Sequence, residues 1–102
     1  MLDDVVLVDP WWDLRGPGDS EQRQVQEIST ELVQETSRGH PLYGVAFTVV
    51  GRSDATDDVL LKIGDRWALV HLTWSGSAEL PPWPSCAFFD SAADAQRVIA
   101  LG

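Results

Sequence analysis

Residues 58–74 read DVLLKIGDRWALVHLTW, two apolar and β-branched runs separated by Gly64 and Asp65. Two such runs joined by a glycine-containing pair of residues are typical of a β-hairpin with a two-residue turn. A turn of that length pairs Ile63 with Arg66 and fixes the register of the two strands from there outward. The stretch therefore predicts two antiparallel strands, the second of which we place at the centre of a sheet.

The same register gives the two faces of the hairpin different characters. One face is almost purely apolar and is predicted to lie against the core; it carries Val59, Leu61, Ile63, Ala68, Val70, Leu72 and Trp74. The other face is mixed, with polar ends around an apolar centre; it carries Asp58, Leu60, Lys62, Trp67, Leu69, His71 and Thr73. On this mixed face Asp58 lies directly opposite His71, so we expect its carboxylate to hold one nitrogen of the imidazole ring.

Two amphipathic helices are predicted, one before these strands and one after them. Apolar residues recur at spacings of three and four between residues 20 and 37, which is the pattern of a helix with one narrow buried stripe; they are Val25, Ile28, Leu32 and Val33. Gly39 and Pro41 are expected to end that helix. A second helix is predicted from Ala92 to about Leu101, with Asp90 or Ser91 as its N-cap.

The remaining segments complete an α+β domain. In residues 42–52, both sets of alternating positions are mostly apolar, which predicts a strand that is covered on both faces. The β-branched run at residues 5–8 predicts a short strand or an extended arm. Residues 75–84 contain three prolines and predict a stiffened loop. We therefore predict a three- to four-stranded antiparallel sheet with both helices on one face. Residues 1–102 have the length of one domain and are predicted to form a single compact domain.

Charge and composition narrow the classes of partner. The chain carries sixteen acidic and seven basic side chains, a formal net charge of −9. That charge repels a phosphate backbone, so we expect no nucleic-acid partner and favour a basic protein. Cys86 is the single cysteine and cannot form an internal disulfide. The N-terminus lacks the basic start of a signal peptide, and no apolar run approaches the ~20 residues of a membrane helix. We predict a cytoplasmic protein that binds no membrane.

Few residues suggest catalysis or metal binding. Asp58 and His71 have the arrangement of a general base with its orienting acid, but a cross-strand polar pair is the simpler interpretation. Nothing in the sequence brings Cys86 next to a base, as a nucleophilic thiolate requires. His40 is expected to interact with the carbonyls at a helix end. Two histidines and one cysteine lack the spacing of a zinc site. We therefore predict no catalytic residue, no cofactor and no metal.

The five tryptophans are the strongest candidates for binding. Trp74 falls on the apolar face and is predicted to lie in the core, whereas Trp67 and Trp83 are predicted to lie at or near the surface. Trp11 and Trp12 lie in a predicted loop, where such residues either cover a small core or serve as exposed anchors. The candidate binding residues are Trp67, Trp83, His71, Asp58, Trp11 and Trp12.

A family resemblance rests on three short motifs. DDVLLKIGDRWALVHLTW at residues 57–74, which ends in VHLTW, PPWP at residues 81–84 and the Phe-Phe-Asp-Ser helix start at residues 88–91 are similar to a group of small acidic bacterial proteins of unassigned function. The resemblance covers Asp57 to about Asp90, a third of the chain. It implies a compact bacterial α+β domain and brings no catalytic assignment. It also implies one local cluster formed by Asp58, His71, Thr73, Trp74 and Trp83.

Three functions from different classes fit these observations. The first is a non-enzymatic protein-binding domain, an immunity-like or antitoxin-like inhibitor of a basic bacterial effector, in which acidity steers the encounter and tryptophan provides affinity. The second is a small enzyme or ligand-binding domain that uses the Asp58 and His71 face with Trp67 as a wall. The third is a subunit of a homo-oligomer that buries the mixed face. A deep pocket between His71 and Trp67 favours the second, and an open acidic surface with exposed tryptophan favours the first.

Overall fold

A computed structural model describes residues 4–101, in which five strands form one sheet and two helices pack on it. In chain order the elements are β1 (Trp11–Asp13), α1 (Asp19–Glu35), β2 (Thr48–Ser53), β3 (Asp58–Ile63), β4 (Arg66–His71), β5 (Ser85–Phe89) and α2 (Ala92–Leu101). Each strand pairs antiparallel with the next one along the chain. The α+β class is confirmed, and the predicted three to four strands were too few.

The hairpin of β3 and β4 has the predicted register. Ile63 pairs with Arg66, and at the far end Asp58 pairs with His71. Gly64 has a φ of 59° in the connecting turn, a left-handed conformation that glycine adopts without a side-chain clash. Because the turn contains two residues, the two-residue period of each strand places the faces as the sequence indicates.

The two helices lie on opposite faces of the sheet, which corrects the prediction of one shared face. On one face Val59 and Leu61 pack in a core with Ile28 and Leu32 of α1. On the other face a second core contains Trp67; its other buried members are Val5, Val50, Leu60, Ala92, Ala95 and Ile99. The apolar centre of the mixed face is therefore wide enough to receive α2.

Trp67 is buried beneath α2 and does not lie at the surface as predicted. Its side chain is 2 % exposed. The ammonium group of Lys62, its partner across the hairpin, lies 5.0 Å from the centroid of the indole ring. Trp67 is consequently a core residue and carries no exposed anchor surface.

Both edge strands differ from the prediction. β1 is formed by Trp11 to Asp13, in a segment predicted to be a loop, and β5 by Ser85 to Phe89, in a segment predicted to lead into the last helix. Residues 5–8 form no strand. Instead the side-chain amide of Gln96 accepts from Val6 N–H (2.7 Å) and donates to Val6 O (2.9 Å), so this arm lies along α2.

The segment between α1 and β2 is more irregular than predicted. α1 ends at Glu35, and β2 begins at Thr48 rather than at residue 42. His40 does not cap the helix. It is buried, its Nδ1 accepts from Leu42 N–H (3.0 Å), and its Nε2 therefore donates to the carbonyl of Pro84 (2.7 Å). His40 thus ties this segment to the proline-rich loop.

Within residues 4–101, neither helix combines the length and the apolar character that crossing a membrane requires.

Candidate functional site

The loop from residue 72 to residue 84, here called the tryptophan loop, carries three exposed apolar side chains. Trp74 is 37 % exposed and Trp83 is 51 % exposed, and Leu80 is exposed beside Trp83 in the same turn. The surface position of Trp83 is as predicted. Trp74 was predicted to lie in the core, and that prediction is wrong because β4 ends at His71, so the alternation of the strand does not extend to residue 74.

Trp11 and Trp12 cover the edges of the two cores. Both are half-buried in β1, and they point to opposite faces of the sheet. The indole Nε1–H of Trp11 donates to the carbonyl of Ile99 (3.2 Å), and that of Trp12 donates to a carboxylate oxygen of Glu21 (3.2 Å). Their apolar area and their polar hydrogen are already used within the domain, so a covering role accounts for both residues.

Two glutamates of α1 accept hydrogen bonds from the main chain of the tryptophan loop and hold it against the helix. Glu35 is fully buried, and its two carboxylate oxygens accept from Thr73 N–H (2.8 Å) and Trp74 N–H (2.7 Å). One turn earlier on the helix, Glu31 accepts from Gly76 N–H (2.9 Å). Successive main-chain N–H groups that converge in this way form a concave anion site, which here is filled by side chains of the same chain.

The hydrogen bonds from the main chain of the tryptophan loop to Glu35 and Glu31, here called the clasp, hold Trp74 in an unusual backbone conformation. Its φ is 58°, in the left-handed region that bulky residues seldom occupy, at a cost of about 1–3 kcal/mol. The hydrogen bonds that Glu35 accepts offset that cost because they fix the N–H group of the strained residue Trp74 and that of Thr73 before it. Strain of this kind concentrates at functional sites, which directs attention to the exposed indole.

Burial raises the pKa of the Glu35 carboxyl above its ordinary value of 4.5, and the adjacent Glu31 carboxyl raises it further. The N–H groups of Thr73 and Trp74 act in the opposite direction because they stabilise the carboxylate, but the net shift is upward. The clasp is therefore made by an acid whose charged form is disfavoured by its surroundings.

A hollow of about 480 Å³ lies between Trp74 and the outer side of α1 and is here called the Trp74 groove. Its lining consists of Trp74 together with Arg23, Gln26, Glu27, Thr30 and Glu31. Arg52 stacks on the indole with its guanidinium carbon 4.8 Å from the ring centroid, and it also donates to Gln24 (2.9 Å) and Asp57 (3.1 Å). The indole is therefore supported by side chains of β2 as well as by the clasp from α1.

The Asp58 and His71 pair lies at a second hollow, of about 320 Å³, here called the His71 hollow. The Oδ1 atom of Asp58 is 2.6 Å from Nδ1 of His71, as the register predicts. Ser85 pairs with His71 across β4 and β5, and its side chain makes no hydrogen bond to the imidazole within residues 4–101. Trp67 does not line this hollow because it is buried under α2.

Cys86 also borders the His71 hollow, but its thiol is poorly suited to nucleophilic chemistry. Burial raises the pKa of the Cys86 thiol above 9.0, so the thiolate is scarce at neutral pH. Within the described range 4–101, no group of three or more His, Cys, Asp or Glu side chains is placed to hold a metal ion.

The five residues that the family resemblance groups together occupy two places. Asp58 and His71 line the His71 hollow, whereas Trp74 lines the groove on α1. Thr73 and Trp83 belong, like Trp74, to the tryptophan loop, where Thr73 donates through its hydroxyl to Glu79 (3.0 Å).

Sequence reasoning did not single out Glu31 and Glu35. The signal was present in their spacing. Glu31 and Glu35 follow Ile28 by three and seven residues and so lie on the same stripe as Leu32. An acid in an apolar stripe indicates a buried carboxylate with donors of its own.

Comparison with protein-family models, with curated proteins and with solved structures gave no match for this chain. The resemblance based on VHLTW and PPWP stays a prediction, and the function is argued from the site alone.

Proposed function

We propose that this chain is a non-enzymatic protein-binding domain that acts in the cytoplasm on a basic protein partner, in the manner of an immunity-like or antitoxin-like inhibitor of a bacterial effector. The observation that carries the proposal is the tryptophan loop. It presents Trp74, Leu80 and Trp83 to solvent while its main chain is held from within the domain. Exposed tryptophans in fixed positions are typical of residues that dominate binding energy at interfaces.

The loop is held at several points along its length, which lowers the entropic cost of binding. Glu79 N–H donates to the carbonyl of Glu35 (2.9 Å), and the hydroxyl of Ser37 donates to the carbonyl of Glu79 (2.7 Å). At the far end, His40 holds the carbonyl of Pro84. A loop ordered before it meets its partner loses less conformational freedom on binding, so more of the contact energy contributes to affinity.

The charge of the protein indicates a basic partner. The formal net charge is −9. Four of the basic side chains, Arg15, Arg52, Arg66 and Arg97, are already paired with carboxylates of this chain. The field at the surface is therefore dominated by acids, which accelerates encounter with a positively charged protein and disfavours an acidic one.

A second candidate is a small enzyme or ligand-binding domain that uses Asp58 and His71. The 2.6 Å contact between these residues and the hollow beside them favour it. Because Trp67 is buried elsewhere, the aromatic wall on which that interpretation depended is missing from the hollow. A homo-oligomer is the third candidate. It cannot bury the mixed face as predicted, because α2 covers the centre of that face, but β5 leaves an open edge of the sheet.

The test is capture of the partner from a lysate of the source cell by the tagged protein, at low and at physiological salt. We compare the wild type with Trp83→Ala and use Tyr43→Ala as a matched control, because Tyr43 is also 51 % exposed but lies outside the tryptophan loop. We expect the wild type to capture a single basic protein, and we expect less of it to be captured at physiological than at low salt. Trp83→Ala is expected to capture less of this protein, whereas Tyr43→Ala is expected to capture as much as the wild type. The purified pair must then form a complex of defined stoichiometry.

Failure to capture a protein at either salt, or equal capture by both variants, contradicts the proposal. In that case, mass measurement of the free protein separates a homo-oligomer from a monomer, and small-molecule screening against His71 tests the second candidate.

A further inference from the structure

We propose that the Trp74 groove binds the side chain of one arginine or lysine presented by the basic partner. This inference rests on the proposed function and adds to it the position and the chemistry of one contact. The groove brings together an exposed aromatic wall and two carboxylates in a hollow of about 480 Å³. That combination suits a cation on a flexible stem better than it suits a neutral side chain.

The indole of Trp74 already binds a cation within the protein. The guanidinium of Arg52 stacks on the ring at 4.8 Å from its centroid. Arg52 does not line the groove, whereas Trp74 does and is 37 % exposed. The contact with Arg52 shows that this indole accepts a guanidinium, and its exposed part is available to an incoming cation.

Two carboxylates of α1 provide the charge. Glu27 is exposed, and the only hydrogen bond of its carboxylate within residues 4–101 is a long one of 3.5 Å from Gln24. Glu31 is 8 % exposed and has one oxygen on Gly76 N–H. Since Glu31 is held in place and Glu27 is accessible, a cation that enters the groove meets one fixed and one adjustable acceptor.

Arg23 lines the same groove and acts as an internal competitor. It lies four residues before Glu27, one helical turn away, and forms no ion pair within residues 4–101. A positive charge at this position opposes entry of another cation and is attracted by the same carboxylate. Removal of Arg23 is therefore expected to strengthen binding, and removal of the Glu27 charge is expected to weaken it.

The backbone conformation of Trp74 fixes the orientation of its indole beside the groove. Its left-handed φ of 58° and the two bonds from Glu35 fix the direction in which the side chain leaves the loop. The groove therefore exists before a ligand arrives, and small probes suffice to detect it.

The test is a ¹H–¹⁵N NMR titration of the indole Nε1–H of Trp74, assigned with Trp74→Phe. The probes are Nα-acetyl-arginine methylamide, its lysine counterpart and, as a neutral control of nearly the same shape, Nα-acetyl-citrulline methylamide. We expect a saturating shift of the Trp74 signal with the two cations and none with citrulline. The indole of Trp83, equally visible and outside the groove, is the internal control and is expected to stay unchanged.

Two charge variants sharpen the result. Glu27→Gln is expected to weaken arginine binding by about two- to fivefold, and Arg23→Gln is expected to strengthen it by a similar factor. Both positions are exposed, so neither variant is expected to disturb the fold. An equal response to citrulline, a shift that does not saturate, or an unchanged affinity in Glu27→Gln overturns the proposal.

The outcomes separate this inference from the proposed function. If the probes fail to bind while partner capture still depends on Trp83, the groove is not the cation site and the protein-binding function stands. If the probes bind as expected while no partner is captured, the cation site stands and the protein-binding function is overturned.

Discussion

Glu35 is a buried acid whose hydrogen-bond donors are main-chain N–H groups rather than a basic side chain. Its folded-state pKa lies above the ordinary value of 4.5, so folding favours the protonated form. The contribution of this group to stability is therefore fully present below pH 4.5 and is lost as the pH rises through the folded-state pKa.

The first prediction concerns that pH dependence. The free energy of unfolding of the wild type, minus that of Glu35→Gln, is expected to decrease as the pH rises from 4.5 towards 7, because glutamine does not titrate. Urea unfolding at a series of pH values measures the difference, in which the other carboxyls cancel. Parallel profiles for the wild type and Glu35→Gln contradict the assignment of the shift to Glu35.

A second prediction at this scale contrasts two tryptophans. Trp67→Ala removes a side chain that is 2 % exposed and is expected to cost about 3–5 kcal/mol of unfolding free energy. Trp83→Ala removes one that is 51 % exposed and is expected to cost about 0.5 kcal/mol or less. Chemical denaturation of the two variants side by side measures both values. Similar losses in the two variants contradict the different burial of these residues.

Among the elements, the β3–β4 hairpin depends on its turn. Gly64 has a φ of 59°, and a methyl group added there meets no atom within 4 Å. Gly64→Ala is therefore expected to destabilise the protein through the backbone alone, by about 1–2 kcal/mol. Asp65→Ala in the same turn is the matched control and is expected to have a smaller effect. Thermal unfolding of both variants tests this third prediction, and equal melting temperatures contradict it.

The elements also show how far the sequence predicts the fold. The register of Asp58 with His71 and the bounds of α2 are confirmed, because a two-residue turn and an N-cap serine are strong local signals. The side of the sheet on which α2 packs is not local information. It depends on Leu60 and Trp67 providing enough apolar area in the mixed face.

For the candidate site, the sequence predicts residue types better than their positions. Asp58 meets His71 and Trp83 is exposed, as expected. The exposure of Trp74 was not predictable from strand alternation, because it depends on where β4 ends and on a carboxylate 39 residues earlier in the chain. Contacts between distant segments leave no short-range pattern beyond the spacing of Glu31 and Glu35.

For the whole molecule, the net charge is large relative to the size. The chain measures about 36 × 30 × 23 Å, and the screening length is about 30 Å at 0.01 M salt but only about 8 Å at 0.15 M. At low salt the excess negative charges therefore repel one another across the entire molecule, whereas at physiological salt only neighbouring charges interact.

The fourth prediction follows from this repulsion. The free energy of unfolding is expected to increase when sodium chloride rises from about 0.01 to about 0.15 M. A variant in which three exposed acids are neutralised, Asp9→Asn, Asp54→Asn and Asp65→Asn, is expected to show a smaller increase. Denaturation curves at the two salt concentrations measure both responses. A decrease with salt in the wild type shows that the local ion pairs of Arg15 outweigh the long-range repulsion.

The clasp between α1 and the tryptophan loop determines which part of the chain encodes the exposed surface. The orientation of Trp74 is set by Glu35 on a helix that lies outside the loop, not by neighbouring loop residues alone. A synthetic peptide of residues 72–84 contains both exposed tryptophans but not the acid that orients the first. Transplanting the recognition surface to another scaffold consequently requires the last two turns of α1 together with the loop.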